Sequence, residues 1–330
     1  MLSYGVTQMC FKKFLFKKKQ ETFAGRDDMD FIQEFCKFYN AIGVNEKIYE
    51  LPEYVYHYTS SGGAKGIFEN ATLRFTDRCF LNDESEGQYV LSLCKKNIDF
   101  LIPEESQFKN RFLHHLDAKR DVVLNDSFRV YQCSFSSNPD SLCMWNYYTK
   151  SNGVKGYSMR FNAAELPGKV LPEYEREDAK PRMIIGKVIY NEEEQLAILK
   201  EIVDKFVDYG NKHGHYDFIA SYAVRKILQQ GTFFKKSCFE IEEEYRLVIT
   251  LYLDGKEFVG IKNKVCFMER NDIFIPYVDI NFESDVLTRV TISPTLDSET
   301  TRLSIKLISQ KKFSHLKDDD IRASEIPVRY

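Results

Sequence analysis

The segment from Glu240 to Leu251 reads Glu-Ile-Glu-Glu-Glu-Tyr-Arg-Leu-Val-Ile-Thr-Leu and joins an acidic cluster to a run of β-forming residues. Such a run predicts a strand, here from Glu242 to Leu251. Because side chains alternate along a strand, Glu242, Glu244 and Arg246 would share one face. Carboxylates on one face repel each other and glutamate is disfavoured in strands, so the segment is a candidate functional site. The alternative is a solvated edge strand in which Arg246 neutralises a carboxylate.

Further strands are predicted on both sides of a group of helices. Short alternating runs predict strands at residues 54–59 and 73–75, and a longer run predicts one at residues 128–135. From residue 239 onward strands dominate. Strands and helices do not alternate as they do in a doubly wound parallel sheet, so we expect an α+β fold. The sequence contains no G-x-G-x-x-G, P-loop or G-x-S-x-G motif.

Two consecutive helices are predicted between the strand blocks. Asn191 followed by Glu194 is typical of a capping box and begins the first helix, and Gly210 fits its end. The second helix is predicted from Tyr216 to Gln230, and Gly231 ends it.

Composition favours a soluble globular chain. The 330 residues are 43% hydrophobic and 29% charged, which suits one sizeable core. The formal net charge of −3 gives no overall attraction for nucleic acid, although a local basic patch is compatible with it. Eight cysteines without a C-x-x-C pair are typical of free thiols in a reducing cytoplasm rather than disulfides or zinc fingers. No apolar run approaches the ~20 residues that span a bilayer, so we expect a cytoplasmic protein without stable membrane insertion.

The first fifty residues differ from the rest. We expect residues 1–50 to form a basic tail and a helix, and residues 51–330 to form a single domain. The tail contains Phe11-Lys-Lys-Phe-Leu-Phe-Lys-Lys-Lys19, which lacks the order of a signal peptide. It could touch an anionic membrane surface, but a flexible tail or a packed helix is favoured because one short cluster binds membranes only marginally.

Other motifs carry polar groups suited to a ligand. His57-Tyr-Thr59 offers an imidazole and a hydroxyl that can bind a ribose, although a histidine in a strand is more often structural. Ser134 and Ser136 would place two hydroxyls on one strand face. The acidic run from Asn82 to Glu86 is either a helix cap or part of a site.

An aromatic pair follows the serines. Trp145 and Tyr148 lie three residues apart on a predicted helix and would share a face. Either they pack into the core or one of them lines the pocket of a flat aromatic ring.

In chain order the motifs are His57-Tyr-Thr59, Phe80-Leu-Asn-Asp-x-x-Glu86, Ser134-Phe-Ser136, Met144-Trp-x-x-Tyr148, Phe234-Lys235 and Glu242-x-Glu244-Tyr-Arg246. This order resembles a widespread bacterial family known only as a domain of unknown function, over roughly Tyr54 to Arg329. It is also similar, more distantly, to the ADP-ribosyltransferase superfamily, which includes DNA-modifying toxins of toxin–antitoxin systems. That resemblance implies a split, mixed or antiparallel β-sheet with inserted helices that clamps NAD in a bent form.

The resemblance also implies residue roles. His57 would bind the adenosine ribose, Glu244 would be catalytic and Glu242 would orient the acceptor. His57 and Glu244 should then lie at opposite ends of one pocket. A carboxylate beside the ribose stabilises the oxocarbenium ion that forms when nicotinamide leaves, and Glu244 would also help to deprotonate the acceptor. The remaining residues expected to bind NAD, with nicotinamide stacking assigned to one of the last two, are Tyr58, Thr59, Ser134, Ser136, Trp145 and Tyr148.

The sequence therefore predicts an NAD-dependent ADP-ribosyltransferase-like enzyme that acts in phage defence or as a toxin. NAD would be its substrate, no metal would be needed, and the acceptor would be a protein or a nucleic acid. One alternative is an NAD glycohydrolase or a nuclease-like toxin that uses the same carboxylates, the nuclease requiring a divalent metal. A third is a non-catalytic module that binds a nucleotide or a protein.

Overall fold

The computed structural model describes residues 26–81, 88–125, 128–149, 155–174, 181, 183–254, 257–259, 262–270 and 272–327. The basic tail from Phe11 to Lys19 and the acidic run from Asn82 to Glu86 lie outside these ranges. The described residues form helices on a mixed, open and largely antiparallel sheet, as an α+β fold requires.

Twelve strands of one sheet are formed by the described residues. They are β1 (Tyr54–Ser60), β2 (Thr72–Asp77), β3 (Phe128–Ser136), β4 (Gly156–Asn162), β5 (Val170–Leu171), β6 (Met183–Lys187), β7 (Glu244–Asp254), β8 (Glu257–Val259), β9 (Cys266–Arg270), β10 (Ile273–Phe282), β11 (Leu287–Ile292) and β12 (Ile321–Ala323). Between named strands, only β11 and β12 pair in parallel in the described part of the sheet.

The sheet branches at β3. One edge of β3 pairs with β7 along its full length, from Phe128 opposite Tyr252 to Ser136 opposite Glu244. The other edge pairs with β2 near Gln132 and with β1 only at Ser136. The strands β1, β4, β11 and β12 therefore continue the sheet in one direction, while β2, β10 and their neighbours continue it in another.

The described helices connect these strands. They are α1 (Arg26–Ala41), α2 (Ser61–Asn70), α3 (Tyr89–Lys96), α4 (Ile98–Leu101), α5 (Gln107–Asn125), α6 (Leu142–Tyr148), α7 (Leu166–Lys169), α8 (Glu192–His213), α9 (Tyr216–Gln230) and α10 (Ser298–Ser309). The predicted bounds of α9 are confirmed, and so is the cap of α8, where the Asn191 side chain accepts a hydrogen bond from the Glu194 backbone N–H.

The predicted end of α8 is wrong. The helix continues through Gly210 to His213 and ends at Gly214, whose φ of 71° suits only glycine well. Gly210 has a packing role instead, because a Cβ there would lie 3.1 Å from the Phe108 ring of α5. A glycine inside a helix can mark a close contact as well as a helix end.

The two faces of the sheet cover two different hydrophobic cores. We call the face that carries Ser134 and Ser136 of β3 face A, and the face that carries Cys133 and Phe135 face B. On face A, Val130 and Val248 pack with α1, α3, α5, α8 and α9. On face B, Cys133 and Phe135 pack with α2 and α10. At β3 and β7 the sheet is thus covered by apolar side chains on both sides.

The seven cysteines that lie in the described ranges are all free thiols. None of the described helices is long and apolar enough to cross a membrane.

Candidate active site

The acidic segment enters the sheet through a tight turn. Residues Ser237–Glu242 form a 3-10 helix, Glu243 takes a left-handed φ of 45°, and β7 begins only at Glu244. The predicted strand start at Glu242 is therefore wrong, because the left-handed residue interrupts the alternation. The turn nevertheless brings both carboxylates to Lys235, whose Nζ lies 2.7 Å from Glu242 Oε2 and 3.3 Å from Glu244 Oε2.

Arg246 completes an ion cluster on face A. Its Nε donates to Glu244 Oε1 and its Nη2 to Glu244 Oε2, both at 2.9 Å, in a two-pronged pair. Glu242, Glu244 and Arg246 are 6%, 5% and 2% exposed. The solvated edge strand is also excluded, because β7 lies between β3 and β6.

The ion cluster holds Glu244 in its charged form. Burial alone would raise the pKa of Glu244, but Arg246, Lys235 and a hydrogen bond from Ser134 outweigh it and lower the pKa from 4.5 to about 2. Burial also disfavours the charged Lys235 ammonium, but Glu244 and Glu242 overcome this effect and raise the pKa of Lys235. The negative charges of two carboxylates and the positive charges of two cations thus balance in the protein interior.

The predicted serines and Tyr148 belong to this cluster. The Ser136 hydroxyl donates to the backbone oxygen of Glu242 at 2.7 Å, and Ser134 bonds Glu244. Tyr148, at the end of α6, donates its phenol hydrogen to Glu242 Oε1 at 3.0 Å. The two serines share face A, as expected from their spacing.

The two carboxylates differ in how many acceptor sites remain. A carboxylate has about four lone-pair sites. Glu244 uses them for Arg246, which donates twice, for Lys235 and for Ser134. Among the described residues, Glu242 accepts only from Tyr148 and Lys235. Of the two acids, Glu242 therefore has acceptor sites left for a ligand.

Two residues of face A received no role from the sequence. Lys235 is part of a motif, but its place between the acids depends on the turn. Gln132, on β3, is 2% exposed, and within the described residues neither its amide oxygen nor its amide nitrogen has a hydrogen-bond partner. A signal for Gln132 was present, because Gln132, Ser134 and Ser136 form a row of polar residues at alternate positions.

His57 lies apart from the ion cluster. Its ring packs 5.5 Å from the Phe135 ring, and its Nδ1 lies 3.8 Å from Cys133 Sγ and 2.9 Å from the Ser134 backbone oxygen. Cys133 and Phe135 lie on face B, so His57 lies on the opposite face of the sheet from Glu244. The expected pocket shared by His57 and Glu244 is therefore not formed. Burial lowers the pKa of His57 despite the bond to Ser134, which suits a structural, neutral imidazole.

Two other predicted NAD-binding residues, Tyr58 and Trp145, have hydrogen-bond partners within the protein. The Tyr58 hydroxyl donates to the Asn138 backbone oxygen and accepts from the Ser141 N–H, each at 2.9 Å. Trp145 is fully buried, its ring is edge-on to Tyr58, and its N–H donates to Asp140 at 2.6 Å.

Thr59 belongs with His57 by alternation and lies against Gly63 of α2. Trp145 is buried against Tyr58, whereas Tyr148 is half-buried and contacts the ion cluster.

Within the described ranges, no three His, Cys, Asp or Glu side chains come together as metal ligands.

Comparison with known proteins relates part of the chain to one family. Residues 144–247 match the family model described as "protein of unknown function (DUF2971)". The match begins in α6 and ends in β7, so it includes Tyr148, Lys235 and both acids of the cluster but neither His57 nor Ser134. The comparisons with curated proteins and with solved structures each gave no match.

Proposed function

We propose that the protein is an NAD-dependent ADP-ribosyltransferase-like enzyme whose reacting centre is the ion cluster on face A. The observation that carries the proposal is the meeting of Glu242, Glu244 and Tyr148, two carboxylates and an aromatic ring, on one side of the sheet. Cleavage of the nicotinamide–ribose bond develops positive charge on the ribose, which a fixed carboxylate stabilises.

The geometry favours an exchange of the roles that the resemblance implies. Glu242 retains acceptor sites and is bonded to Tyr148, so we assign it to the ribose. Glu244 remains ionised near neutral pH because its pKa is about 2, and it positions Lys235 and Arg246. Tyr148 would supply the ring beside nicotinamide.

Gln132 is the group we assign to the adenine end. A glutamine amide can pair with the N6 and N7 edge of adenine, and neither amide atom of Gln132 is paired with another described residue. Gln132 and Ser136 are four residues apart on β3, which is about 13 Å along a strand. A ligand that reaches Gln132 and Glu242 must therefore be elongated, as a dinucleotide is. His57 has no part in this assignment.

The test is turnover of NAD by the purified protein, followed as nicotinamide release, with transfer of labelled ADP-ribose measured in parallel. We expect Glu242→Gln to lower the rate by about 100-fold or more, because a positioned carboxylate contributes that much. The matched control is Glu240→Gln, an exposed glutamate in the same turn, which should retain full activity. Unchanged turnover in Glu242→Gln would refute the assignment. Nicotinamide release without transfer of the label would identify a glycohydrolase.

A second candidate is a non-catalytic nucleotide-binding module. The observation that favours it is the balanced ion cluster, in which Glu244 has no acceptor site left. This candidate predicts that NAD stabilises the protein thermally while no nicotinamide is released.

A further inference from the structure

A row of residues in register crosses face A from the ion cluster to the far half of the sheet. Glu244 is opposite Ser136, Ser136 is opposite Tyr56, Tyr56 is opposite Arg160, and Arg160 is opposite Arg289. The row therefore passes through β7, β3, β1, β4 and β11. Its last two members are both cations.

Three arginines lie together at this end. Arg160 and Arg289 face each other directly across β4 and β11, and Arg322 of β12 is opposite Thr291, two residues along from Arg289. Like charges directly opposite each other destabilise a sheet. Burial lowers the pKa of Arg289, and the charges of Arg160 and Arg322 lower it further, while Asp320 and Tyr56 act in the opposite direction.

The protein offers these cations few partners. Arg160 Nε donates to Thr288 Oγ1 at 2.8 Å, and Arg322 Nε donates to the Asp319 backbone oxygen at 3.1 Å. The buried Nε of Arg289 has no hydrogen-bond partner among the residues that the structure describes. In the part of the chain that the structure describes, Arg74, Arg111, Arg129 and Arg246 form ion pairs with carboxylates, whereas Arg160, Arg289 and Arg322 do not.

Aromatic rings border the three arginines. The Arg160 guanidinium lies 4.2 Å above the centre of the Tyr54 ring, and Tyr56 is its partner across β1 and β4. Tyr54, Tyr56, Arg160 and Arg289 are half-exposed and Arg322 is exposed. Adjacent strands are about 4.8 Å apart, so the three cations extend over about 10 Å of the sheet.

We propose that Arg160, Arg289 and Arg322 form a binding site for phosphate oxyanions carried by single-stranded nucleic acid. Guanidinium groups bind phosphate in two-pronged geometry, and a bound phosphate would screen the repulsion between Arg289 and Arg160. Cations spread over an accessible sheet surface, with tyrosine rings beside them, suit a chain of phosphates whose bases stack on aromatic side chains. The site is independent of the chemistry proposed at Glu242.

Fluorescence anisotropy with a labelled 20-nucleotide oligothymidylate, and with the corresponding oligouridylate, tests this site. We expect Arg289→Gln to weaken binding by about 10-fold or more in low salt. Each lost phosphate contact should also reduce the slope of log K against log salt by about 0.7. The double variant Arg289→Gln/Arg322→Gln should reduce this slope by about twice as much as the single variant does. Circular dichroism checks the fold, and removal of Arg–Arg repulsion should leave it intact.

Arg74→Gln is the matched control. Arg74 also lies above a tyrosine ring, 3.8 Å from the centre of Tyr277, but it is paired with Asp279 and belongs to the other half of the sheet. Its loss changes the net charge equally and should leave binding unchanged. Equal weakening by Arg74→Gln and Arg289→Gln, or no binding by the wild-type protein, would overturn the proposal. Binding of inorganic pyrophosphate at Arg289 without oligonucleotide binding would overturn it as well, and would leave the NAD assignment unaffected.

Discussion

Lys235 is the residue that joins the two carboxylates of the ion cluster. Its ammonium is buried and contacts both Glu242 and Glu244, and it also lies 4.6 Å from the centre of the Phe239 ring. Removing one partner of a buried ion pair leaves an uncompensated charge, which costs more than the pair itself contributes. The stability of the cluster therefore depends on Lys235 more than on any exposed lysine nearby.

We expect Lys235→Met to lower the free energy of unfolding by about 3–5 kcal/mol, measured by urea denaturation. The control is Lys236→Met, one residue further along and exposed, which should leave the denaturation midpoint close to that of the wild type. Equal midpoints in the two variants would show that the cluster is solvated and not buried.

Acid should weaken the folded state through Glu244. Its pKa is about 2 in the folded protein against 4.5 as the ordinary value, so the unfolded chain binds a proton first as the pH falls. The stability that Glu244 contributes is therefore complete above pH 4.5 and is lost progressively toward pH 2. The urea midpoint should decline more steeply from pH 5 to pH 3 in the wild type than in Glu244→Gln. Glu240→Gln, the exposed control, should retain the wild-type slope.

Replacement of Gln132 distinguishes a structural role of this residue from a role in ligand binding. A buried amide without partners destabilises the folded state, so Gln132→Leu should raise the free energy of unfolding by about 1–3 kcal/mol. If the amide binds adenine, the same variant should raise the KM for NAD while kcat changes little. A stabilised variant with an unchanged KM would remove Gln132 from the site.

The sequence specified which side chains share a face of one strand, but not which strands share a face. Ser134 and Ser136 follow from alternation within β3 and do face the acids. His57 cannot be placed relative to Glu244 in this way, because its face depends on the register of β1 against β3. That register is set by Tyr56 opposite Ser136, a contact between distant segments of the chain.

At the scale of the elements, the packing of β6 beside Arg246 depends on a glycine, Gly186, which has no side chain. Gly186 is opposite Arg246 in the sheet. A Cβ at Gly186 would collide with Cγ2 of Ile48 and lie 2.8 Å from Cε1 of Phe233. The absence of a side chain therefore allows Ile48 and Phe233 to pack closely at this point on the sheet.

Gly186→Ala should destabilise the protein by about 1–3 kcal/mol, because overpacking forces side chains and backbone to shift. Gly66→Ala is the comparison, since Gly66 lies inside α2, where an added methyl group would have no neighbour within 4 Å and alanine would improve helix propensity. That variant should stabilise by about 0.5–1 kcal/mol. Thermal denaturation of both variants tests the pair, and a stabilised Gly186→Ala would contradict the packing described.

The ends of elements are harder to predict than the elements themselves. The apolar periodicity of α9 predicts its bounds, and Asn191 predicts the start of α8. The predicted start of β7 is two residues too early, because no local pattern predicts the left-handed conformation of Glu243. The end of α8 is predicted at Gly210, because the need for space beside Phe108 is a tertiary effect that one glycine in a sequence does not reveal.

At the scale of the whole molecule, the branched sheet separates two cores and leaves the proposed NAD site and the arginine site on one face. The order of strands and helices predicted an α+β protein, and the resemblance implied a mixed or antiparallel sheet. They could not predict the branch at β3, because β1 and β2 pair with the same strand at different positions along it. Long-range pairing of this kind has no signature within a single segment.

Ligand binding should be visible in the stability of the entire chain. A ligand that binds only the folded state raises the unfolding temperature in proportion to the logarithm of its concentration. We expect NAD to raise the unfolding temperature of Glu244→Gln or Glu242→Gln in differential scanning fluorimetry, with Gln132→Leu as the variant that loses the effect. An unfolding temperature that does not respond to NAD in any of these proteins would exclude an NAD site on face A.

The row of residues in register gives the distance between the ion cluster and the three arginines. From Glu244 to Arg289 it crosses four intervals between strands, or about 19 Å. With a rise of about 3.4 Å per nucleotide, a stacked strand needs about six nucleotides to cover that length. An oligonucleotide shorter than this, bound at Arg289, does not extend to the ion cluster, so its affinity should be the same for the wild type and for Glu242→Gln.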